Sequence, residues 1–522
     1  GEAARHHAVA EITRTRCHYH QHPATVTRAP GALASGRETI DAARAVNTAK
    51  DTFWAAAQRI SPRAPTRRRE LHAMIPRISL MQTRRHLLVW DRKPDRIHFT
   101  WAAHTTSTRA LTAGEMAEVG DRTDAVADLK AQQWGLAPDM NNAEEVHFAA
   151  AVLEDAPFLD DDADFEDAVF DDDAVFRGMT VAGSVTLTEA RFHGDVDASD
   201  ASVARSVIAR GAEFHGGDNT EDEDASFTDA EIDGQFDARE AAFRGGVFDG
   251  LRVGGTARLE GVQFGRSASF AGVAFEDRAE FDEARFDSDA TFEGMTVSER
   301  ASFRGVEFRG GDNVDDANFT DATFEATATF ERVTFGVGTF TGATFEAEAA
   351  FTDAVFEDDA AFTDATFDRL VLDECRFRSD TSFAGIDITG DCSARGVEFQ
   401  GRDNVDDDDV SFRDATIGGD VDFFSATFRY AEFSDATVAG DASFVSTAFD
   451  DDAVFDDVQV GGGASFDEAR FRDDASFGGA AFDGGASFDG TEFRGGDNVN
   501  DDDVSFRDAI FGDDASFEKT QF

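Results

Sequence analysis

The stretch SFAGVAFEDRAEFDEARFDSDATF, residues 269–292, decides the fold. Its large apolar residues recur at spacings of 5, 6, 5 and 6, at Phe270, Phe275, Phe281, Phe286 and Phe292. Two residues before each lies a small or β-branched residue, at Ala268, Val273, Ala279, Ala284 and Ala290. The unit is therefore A-x-F, with polar residues between units. The chain holds 52 Phe but only two Tyr and four Trp, which indicates that this unit is repeated many times.

A spacing of five and six excludes an amphipathic helix, whose apolar face recurs every 3.6 residues. It also excludes a long flat strand, because the apolar residues are too sparse. The pattern predicts a chain that turns a corner every five or six residues and points one large and one small side chain inward on each side. Coils of this kind would stack and satisfy their backbone polar groups by hydrogen bonds to the coils above and below.

The A-x-F units resemble the pentapeptide-repeat family, in which A-x-[L/F]-x-x units build a right-handed, four-sided β-helix. The resemblance covers about residues 165–522. This sequence departs from the family pattern by an extra residue on alternate sides and by replacement of Phe at some steps, as at Val297, Leu372, Ile388 and Ala394. We therefore predict an all-β fold, a right-handed quadrilateral β-helix (β-solenoid), with a short helical or disordered N-terminal region.

Four longer inserts provide a test of four-sidedness. Each begins after an inward Phe, at Phe214, Phe308, Phe399 and Phe493, and sixteen inward positions separate each from the next. Sixteen divides by four and not by three, so a four-sided coil places every insert on one edge of the rod, four coils apart. With strands about 4.8 Å apart, the inserts would recur about every 19 Å along a rod of about 15 coils and about 75 Å.

Composition divides the chain into three segments. Residues 1–110 hold 19 Lys+Arg and 8 Asp+Glu, whereas residues 111–522 hold 29 and 97. The favoured interpretation of 1–110 is a spurious extension, translated from non-coding or wrong-frame sequence, with the true start near Met116 or further on. The alternatives are a disordered basic tail, or a nucleic-acid arm whose Arg67-Arg68-Arg69 and Arg84-Arg85 meet phosphates. Residues 111–160 are predicted to form a short helical or capping segment, with a helix over 115–134, and residues 161–522 the β-helix.

The residues indicate no enzyme. His215 is the last histidine, so most of the rod lacks a side chain that serves as a base at neutral pH. Cys375 and Cys392 occupy small inward positions on different sides, and we interpret them as core residues in place of Ala rather than as a redox pair.

The inserts are rich in Asp and Asn oxygens, which suit Ca²⁺ or another hard cation, although they lack the EF-hand spacing. The cation hypothesis rests on the loop residues Asp218, Asn219, Asp312, Asn313, Asp315, Asp403, Asn404, Asp406, Asp497, Asn498 and Asp501. The competing interpretation is a solvated acidic turn, and no cofactor is otherwise expected.

The net charge of −57, with Lys nearly absent from the rod, has three interpretations. The favoured one is adaptation to high salt, in which acidic side chains keep the protein soluble. The second is mimicry of nucleic acid, since some members of the resembled family are acidic rods that bind type II topoisomerases. The third is partner binding along the insert edge.

We predict a non-enzymatic structural or interaction scaffold with an unknown protein partner and no direct nucleic-acid binding by the rod. The sequence stops within the repeat pattern at Phe522, which indicates a truncated chain or an end that stacks on a second copy. The chain has no apolar run of the roughly 18–20 residues that a membrane helix needs, and no secretory signal opens it, so we expect a cytoplasmic protein.

Overall fold

The computed structural model describes backbone and side chains for residues 162–217, 224–310, 316–401, 409–495 and 504–522. It also gives the backbone of four earlier strands, His86–Arg92, Ile97–Ala103, His147–Val152 and Pro157–Phe158. The predicted helix over 115–134 and the arginines of the predicted nucleic-acid arm lie outside the described residues. Within the described part the chain forms strands and turns, with no helix.

One coil shows how the sequence forms the fold. The strands Arg285–Phe286, Ala290–Thr291, Thr296–Val297 and Ala301–Ser302 follow each other around four sides, and each is only two residues long because a corner comes next. Each strand pairs in parallel with its equivalent in the next coil, so that Phe286 lies beside Phe308. The predicted parallel solenoid with four sides is confirmed.

The sides are called faces 1 to 4 in chain order. Face 1 consists of Val169–Phe170, Arg191–Phe192, Glu213–Phe214, Ala242–Phe243, Gln263–Phe264, Arg285–Phe286, Glu307–Phe308, Thr334–Phe335, Val355–Phe356, Arg376–Phe377, Glu398–Phe399, Thr427–Phe428, Ala448–Phe449, Arg470–Phe471 and Glu492–Phe493. Face 2 consists of Ala174–Val175, Val196–Asp197, Ala225–Ser226, Gly246–Val247, Ala268–Ser269, Ala290–Thr291, Ala317–Asn318, Gly338–Thr339, Ala360–Ala361, Thr381–Ser382, Val410–Ser411, Ala431–Glu432, Ala453–Val454, Ala475–Ser476 and Val504–Ser505. The fifteen strands given for each of faces 1 and 2 make fourteen turns from first to last.

Face 3 consists of Pro157–Phe158, Thr180–Val181, Ser202–Val203, Glu231–Ile232, Arg252–Val253, Ala274–Phe275, Thr296–Val297, Thr323–Phe324, Asp387–Ile388, Thr416–Ile417, Thr437–Val438, Gln459–Val460, Ala481–Phe482 and Ile510–Phe511. Face 4 consists of Ala163–Asp164, Val185–Thr186, Val207–Ile208, Phe236–Asp237, Ala257–Arg258, Ala279–Glu280, Ala301–Ser302, Ala328–Thr329, Cys392–Ser393, Val421–Asp422, Ala442–Ser443, Ala464–Ser465, Ala486–Ser487 and Ala515–Ser516. Two longer strands, Thr344–Ala350 and Thr366–Val371, continue around the corner from face 3 to face 4.

Three earlier strands join the first coils. His86–Arg92 and Ile97–Ala103 pair in antiparallel, and Ile97–Ala103 pairs in parallel with His147–Val152. His147–Val152 in turn pairs with the first strands of faces 1 and 2. The sheet of the rod therefore continues into these strands.

The core is built from columns of Phe rings. Phe270, Phe281 and Phe292 are fully buried, as the repeat predicts. Within a column the rings stack, with Phe270 and Phe292 centroids 5.1 Å apart and 5° between planes. Between columns they meet edge to face, with Phe281 and Phe292 at 5.7 Å and 88°. Phe is preferred because a buried Tyr would need a partner for its hydroxyl group in this apolar interior.

The alternation of five and six residues follows the corners. Gly272 and Glu283, each two residues after an inward Phe, have φ of 64° and 60°, and a five-residue step crosses each of these corners. The six-residue step from Phe286 to Phe292 crosses a corner of three outward residues without a left-handed residue, and other six-residue steps between described residues do the same, except at Gly485, whose φ is 86°. The extra residue that departs from the family pattern thus marks a different corner geometry.

Candidate functional site: the insert edge

The four inserts leave the rod from the same corner, between faces 1 and 2. Phe214, Phe308, Phe399 and Phe493 all lie in the face 1 column, with three strands of that face between each and the next. The prediction from the sixteen-step count is confirmed. We call this corner the insert edge, and the strand spacing of about 4.8 Å places the inserts about 19 Å apart along it.

The predicted cation-binding residues lie outside the described residues. These are Asp218, Asn219, Asp312, Asn313, Asp315, Asp403, Asn404, Asp406, Asp497, Asn498 and Asp501. The structure describes the chain up to Gly217, Gly310, Gly401 and Gly495, and again from Asp224, Asp316, Asp409 and Val504. The cation hypothesis therefore stays a prediction. The structure describes only the residues at the two ends of each loop, which we call its root.

Each loop opens inside an ordinary three-residue corner. The corner His193-Gly194-Asp195 joins Phe192 to Val196 one coil before the first insert. In the next coil the same corner reads His215-Gly216, then the insert, then Asp224. The insertion therefore separates the second and third corner residues and leaves the strands on both sides in register.

A glycine and an aspartate pack against each other at each described root. Gly216, Gly310 and Gly401 have φ of 61°, 40° and 56°. A Cβ atom at Gly310 would lie 1.6 Å from Oδ1 of Asp316, so no larger residue fits there without a shift. Glycine is therefore required both for its left-handed backbone and for the space that the carboxylate occupies.

The root aspartates are buried. Asp224, Asp316 and Asp409 are 0%, 4% and 5% exposed. Oδ2 of Asp316 accepts a hydrogen bond from the backbone N–H of Val337 at 2.8 Å, and Oδ2 of Asp409 accepts one from Tyr430 at 3.3 Å. The carboxylates of Asp316 and Asp409 thus tie the root of their insert to the backbone of the next coil. Burial raises the pKa of Asp409, and the Tyr430 N–H and the Arg429 charge oppose that rise only in part.

Sequence reasoning counted Asp224 and Asp316 among the acidic loop residues and gave the root aspartates no separate role, although a signal for one exists. The residue directly after every insert is Asp, at Asp224, Asp316, Asp409 and Asp503. The residue that follows each is the small inward residue of face 2, so the position is fixed relative to the core. An acidic residue at a fixed distance from a buried strand is more informative than acidic residues in a loop of variable length.

A charged pair on face 1 accompanies each insert. Glu213, Glu307, Glu398 and Glu492 precede the inward Phe of the insert coil, and the coil before carries Arg at the paired position. Arg191 lies 3.9 Å from Glu213, and Arg376 lies 3.8 Å from Glu398. The side chains are half-exposed, so each pair contributes at most about 1 kcal/mol. The pattern shows a larger repeat of four coils in addition to the repeat of the single coil.

Many aspartates hydrogen-bond to the backbone of the next coil. At the insert edge Asp173 accepts from the N–H of Asp195 at 3.1 Å, and Asp195 accepts from Gly217 at 2.6 Å. Between faces 3 and 4, Asp420 accepts from the N–H of Asp441 at 2.8 Å. These carboxylates satisfy corner N–H groups that the short strands leave over. Part of the acidic excess is therefore structural.

Two further charged groups lie among the described residues. On face 4, burial raises the pKa of Asp237, but hydrogen bonds from Arg239 and Arg210 outweigh it and lower that pKa to about 2. At the insert edge, carboxylate oxygens of Asp451, Asp452 and Asp473 lie within 4.8 Å of one another. Burial, together with the charges of Asp473 and Asp451, raises the pKa of Asp452 despite its hydrogen bond to the Asp474 N–H.

The two rod cysteines are core residues. Cys375 and Cys392 are buried free thiols, as predicted. Burial raises the pKa of Cys392 to about 12 and raises that of Cys375 as well. Sγ of Cys375 lies 2.9 Å from the carbonyl oxygen of Phe351. Neither thiol is poised as a nucleophile, because the thiolate is disfavoured and solvent does not reach it.

Comparison with known proteins agrees with this architecture. A family model described as pentapeptide repeats (9 copies) matches residues 248–296, 340–387, 407–448 and 444–492. The repeats across residues 248–492 belong to the pentapeptide-repeat family. No curated protein and no solved structure shows significant similarity to the chain. In the described part of this pentapeptide-repeat chain, no helix has the length and apolar character needed to cross a membrane.

Proposed function

We propose that this pentapeptide-repeat rod is a non-enzymatic scaffold that presents the insert edge to a protein partner and whose surface is adapted to high salt. The observation that supports it is the placement of all four inserts on one edge, four coils apart. Nothing in the folding of the coils requires this, since the coils without inserts pack in the same way. A regular row of loops on a rigid rod is typical of a binding surface.

Loop trimming tests the role of the inserts. Deleting residues 311–315 joins Gly310 to Asp316 and leaves a three-residue corner, which is the length of Asp287-Ser288-Asp289 one coil before. Deleting residues 217–223 recreates His-Gly-Asp, the corner found at 193–195. These variants should keep the circular dichroism spectrum of the rod. A partner captured at high KCl by the wild type and lost by the trimmed variants supports the proposal, whereas equal capture by both contradicts it.

Like charges in adjacent coils favour salt adaptation. Glu325, Glu346 and Asp368 follow Phe324, Phe345 and Phe367, which pair with one another in register. The three exposed carboxylates therefore succeed each other one strand apart. Two like charges at about 4–5 Å repel by about 1 kcal/mol in bulk water, and molar salt shortens the screening length to about 3 Å.

The proposal predicts that the rod loosens or unfolds when KCl is removed. Circular dichroism and urea unfolding over a KCl series measure this, and sucrose serves as an osmolyte that strengthens apolar burial without screening charge. Glu346→Gln should reduce the dependence of stability on KCl. The matched control is Glu293→Gln on face 2, which lies between uncharged Ala271 and Thr320. A rod fully folded in dilute buffer, or two variants with equal salt dependence, would contradict this part of the proposal.

The second candidate function is mimicry of nucleic acid toward a type II topoisomerase. The acidic excess of residues 111–522 favours it, with 97 Asp+Glu against 29 Lys+Arg. The aspartates bound to backbone N–H groups weigh against it, because they serve the fold itself. A supercoiling assay at high salt separates the two, since only a mimic inhibits the enzyme.

A second copy of the chain is the proposed partner of the last described coil. Phe522 is 71% exposed and Ile510 is 60% exposed, whereas their equivalents in earlier coils are covered by the next coil. Stacking of two such ends would bury these side chains. Sedimentation at several protein concentrations tests this, and Phe522→Asp should lower the association if it occurs through this end.

The cytoplasmic location and the binding of Ca²⁺ by the loops also stay proposals. Calorimetric titration of Ca²⁺ in high KCl tests the latter, and the absence of heat at millimolar Ca²⁺ would remove it.

A further inference from the structure

The Phe core is interrupted near its first coils. The coil of Phe264 carries Phe at all four central positions through Phe281, whereas the coil of Phe192 continues with Ala198, Val203 and Ala209. Three of the four sides thus lose an aromatic ring at one level of the rod. Rings above and below cannot close such a gap, because the strand spacing fixes their height.

A cavity of about 40 Å³ lies at this level. Its lining includes Phe176, Val185, Val196, Ala198, Phe227 and Ile232, and every lining side chain is apolar. Ala198 is 7% exposed although it points inward, whereas the central residues of the all-Phe coils are at most 1% exposed. Its accessible surface therefore faces the cavity rather than the solvent.

The chemistry of the lining selects the ligand. A water molecule needs a cavity volume of about 10–15 Å³ and two to four polar partners. Apolar cavities in proteins offer no such partners, so they stay dry and take up benzene or xenon. The cavity has the volume for one small apolar molecule and offers no hydrogen bond. Entry requires transient opening of the short strands, which are held by few hydrogen bonds each.

We propose that this cavity is a binding site for one small, uncharged apolar molecule of about the size of xenon. The site needs no change in the backbone, because the lining side chains already leave the space. The lining atoms that face the void lack dispersion contacts on that side. A bound molecule restores these contacts, and this drives the binding.

Methyl NMR of the full-length chain under xenon gas tests the proposal. We expect the methyl resonances of Val185 and Val196 to shift with xenon pressure and to saturate. Those of Val273, which lies in the all-Phe part, should stay unchanged. Absence of shifts at Val185 and Val196 would overturn the proposal, because it would mean that the side chains fill the space themselves.

Cavity-filling variants give the control. Ala198→Leu places in the gap a residue that the rod uses at other central positions, such as Leu259 and Leu372. It should abolish the xenon shifts at Val185 and raise the urea midpoint. If Ala198→Leu does not fold, Ala198→Val replaces it and should reduce the xenon shifts.

Ala394→Leu is the control, at a fully buried central alanine that lines neither cavity, and it should keep the xenon shifts and lower the urea midpoint. Val438 and Val460 line a second cavity of about 30 Å³, so their xenon response should survive in Ala198→Leu. Shifts at Val185 that persist in both Ala198 variants, or that disappear in Ala394→Leu, would overturn the assignment.

Discussion

Removing one ring from the middle of the rod should cost far more than the loss of its own apolar area. Phe292 is fully buried and stacks on Phe270 at 5.1 Å and on Phe319 at 4.6 Å. It also meets Phe281 and Phe303 edge to face at 5.7 and 5.8 Å. Phe292→Ala should lower the free energy of unfolding by about 3–5 kcal/mol, the usual cost of Phe to Ala in a core. Each lost aromatic pair contributes about 0.5–1.5 kcal/mol, which places the value at the upper end.

The assay is urea unfolding in molar KCl followed by far-ultraviolet circular dichroism, with hydrogen exchange to locate the loss. Because each coil contacts only its neighbours, the exchange rates should rise in the coils around Phe292 and much less at the two ends. Phe292→Leu is the conservative control, since Leu259 and Leu372 fill buried central positions on face 4, and it should cost less than half as much. Phe522→Ala, at a ring that is 71% exposed, should cost less than about 1 kcal/mol. Equal losses for Phe292→Ala and Phe522→Ala would refute the account of the core.

The remaining predictions concern the charged group on face 4 and the insert edge. Hydrogen bonds from Arg239 and Arg210 lower the pKa of Asp237 from 3.8 to about 2, so its contribution to stability is present above about pH 4 and is lost as the pH falls toward 2. Asp237→Asn should therefore remove about 1–2 kcal/mol at pH 7 and almost nothing at pH 2, as measured by urea unfolding at both values, and a pH-independent loss would contradict this. Gly310→Ala should cost about 2–4 kcal/mol because it adds a clash with Asp316 to a left-handed backbone, whereas Gly272→Ala, at φ 64° with open space around it, should cost only about 1–2 kcal/mol. Equal thermal midpoints for these two variants would show that the root aspartate does not occupy this position.

The sequence was sufficient to predict the architecture because the same small unit, A-x-F with apolar replacements at some steps, repeats from coil to coil. The spacing of Phe270, Phe275 and Phe281 excluded helices and long strands, and the distance between Phe214 and Phe308 required four sides. Inward residues can be counted in this way because a solenoid keeps their number per coil constant. The same regularity predicted the buried positions of Cys375 and Cys392.

The roles of the individual acidic residues could not be predicted in this way. Asp316 and Asp287 are both acidic corner residues in the sequence, yet the first is buried beneath Val337 and the second is exposed beside Arg285. The difference depends on whether the next coil presents a backbone N–H group to the carboxylate. The fixed spacing of the root aspartates from face 2 distinguishes their position, but the contact itself joins residues about 20 positions apart and cannot be identified from composition or spacing. The cavity beside Ala198 is also a three-dimensional result, because it requires small residues on three sides at one level.

The most direct test of the four-sided coil is a set of spin-label distances along the insert edge. Labels at Cys residues introduced for Glu213, Glu307, Glu398 and Glu492, in a chain with Cys17→Ser, would all lie on face 1. The account predicts distances of about 19 Å between neighbouring labels, about 38 Å between Glu213 and Glu398, and about 58 Å between the outermost pair, increasing in a straight line. Distances that do not add along one line would place the labels on different sides of the rod and would contradict the four-sided coil.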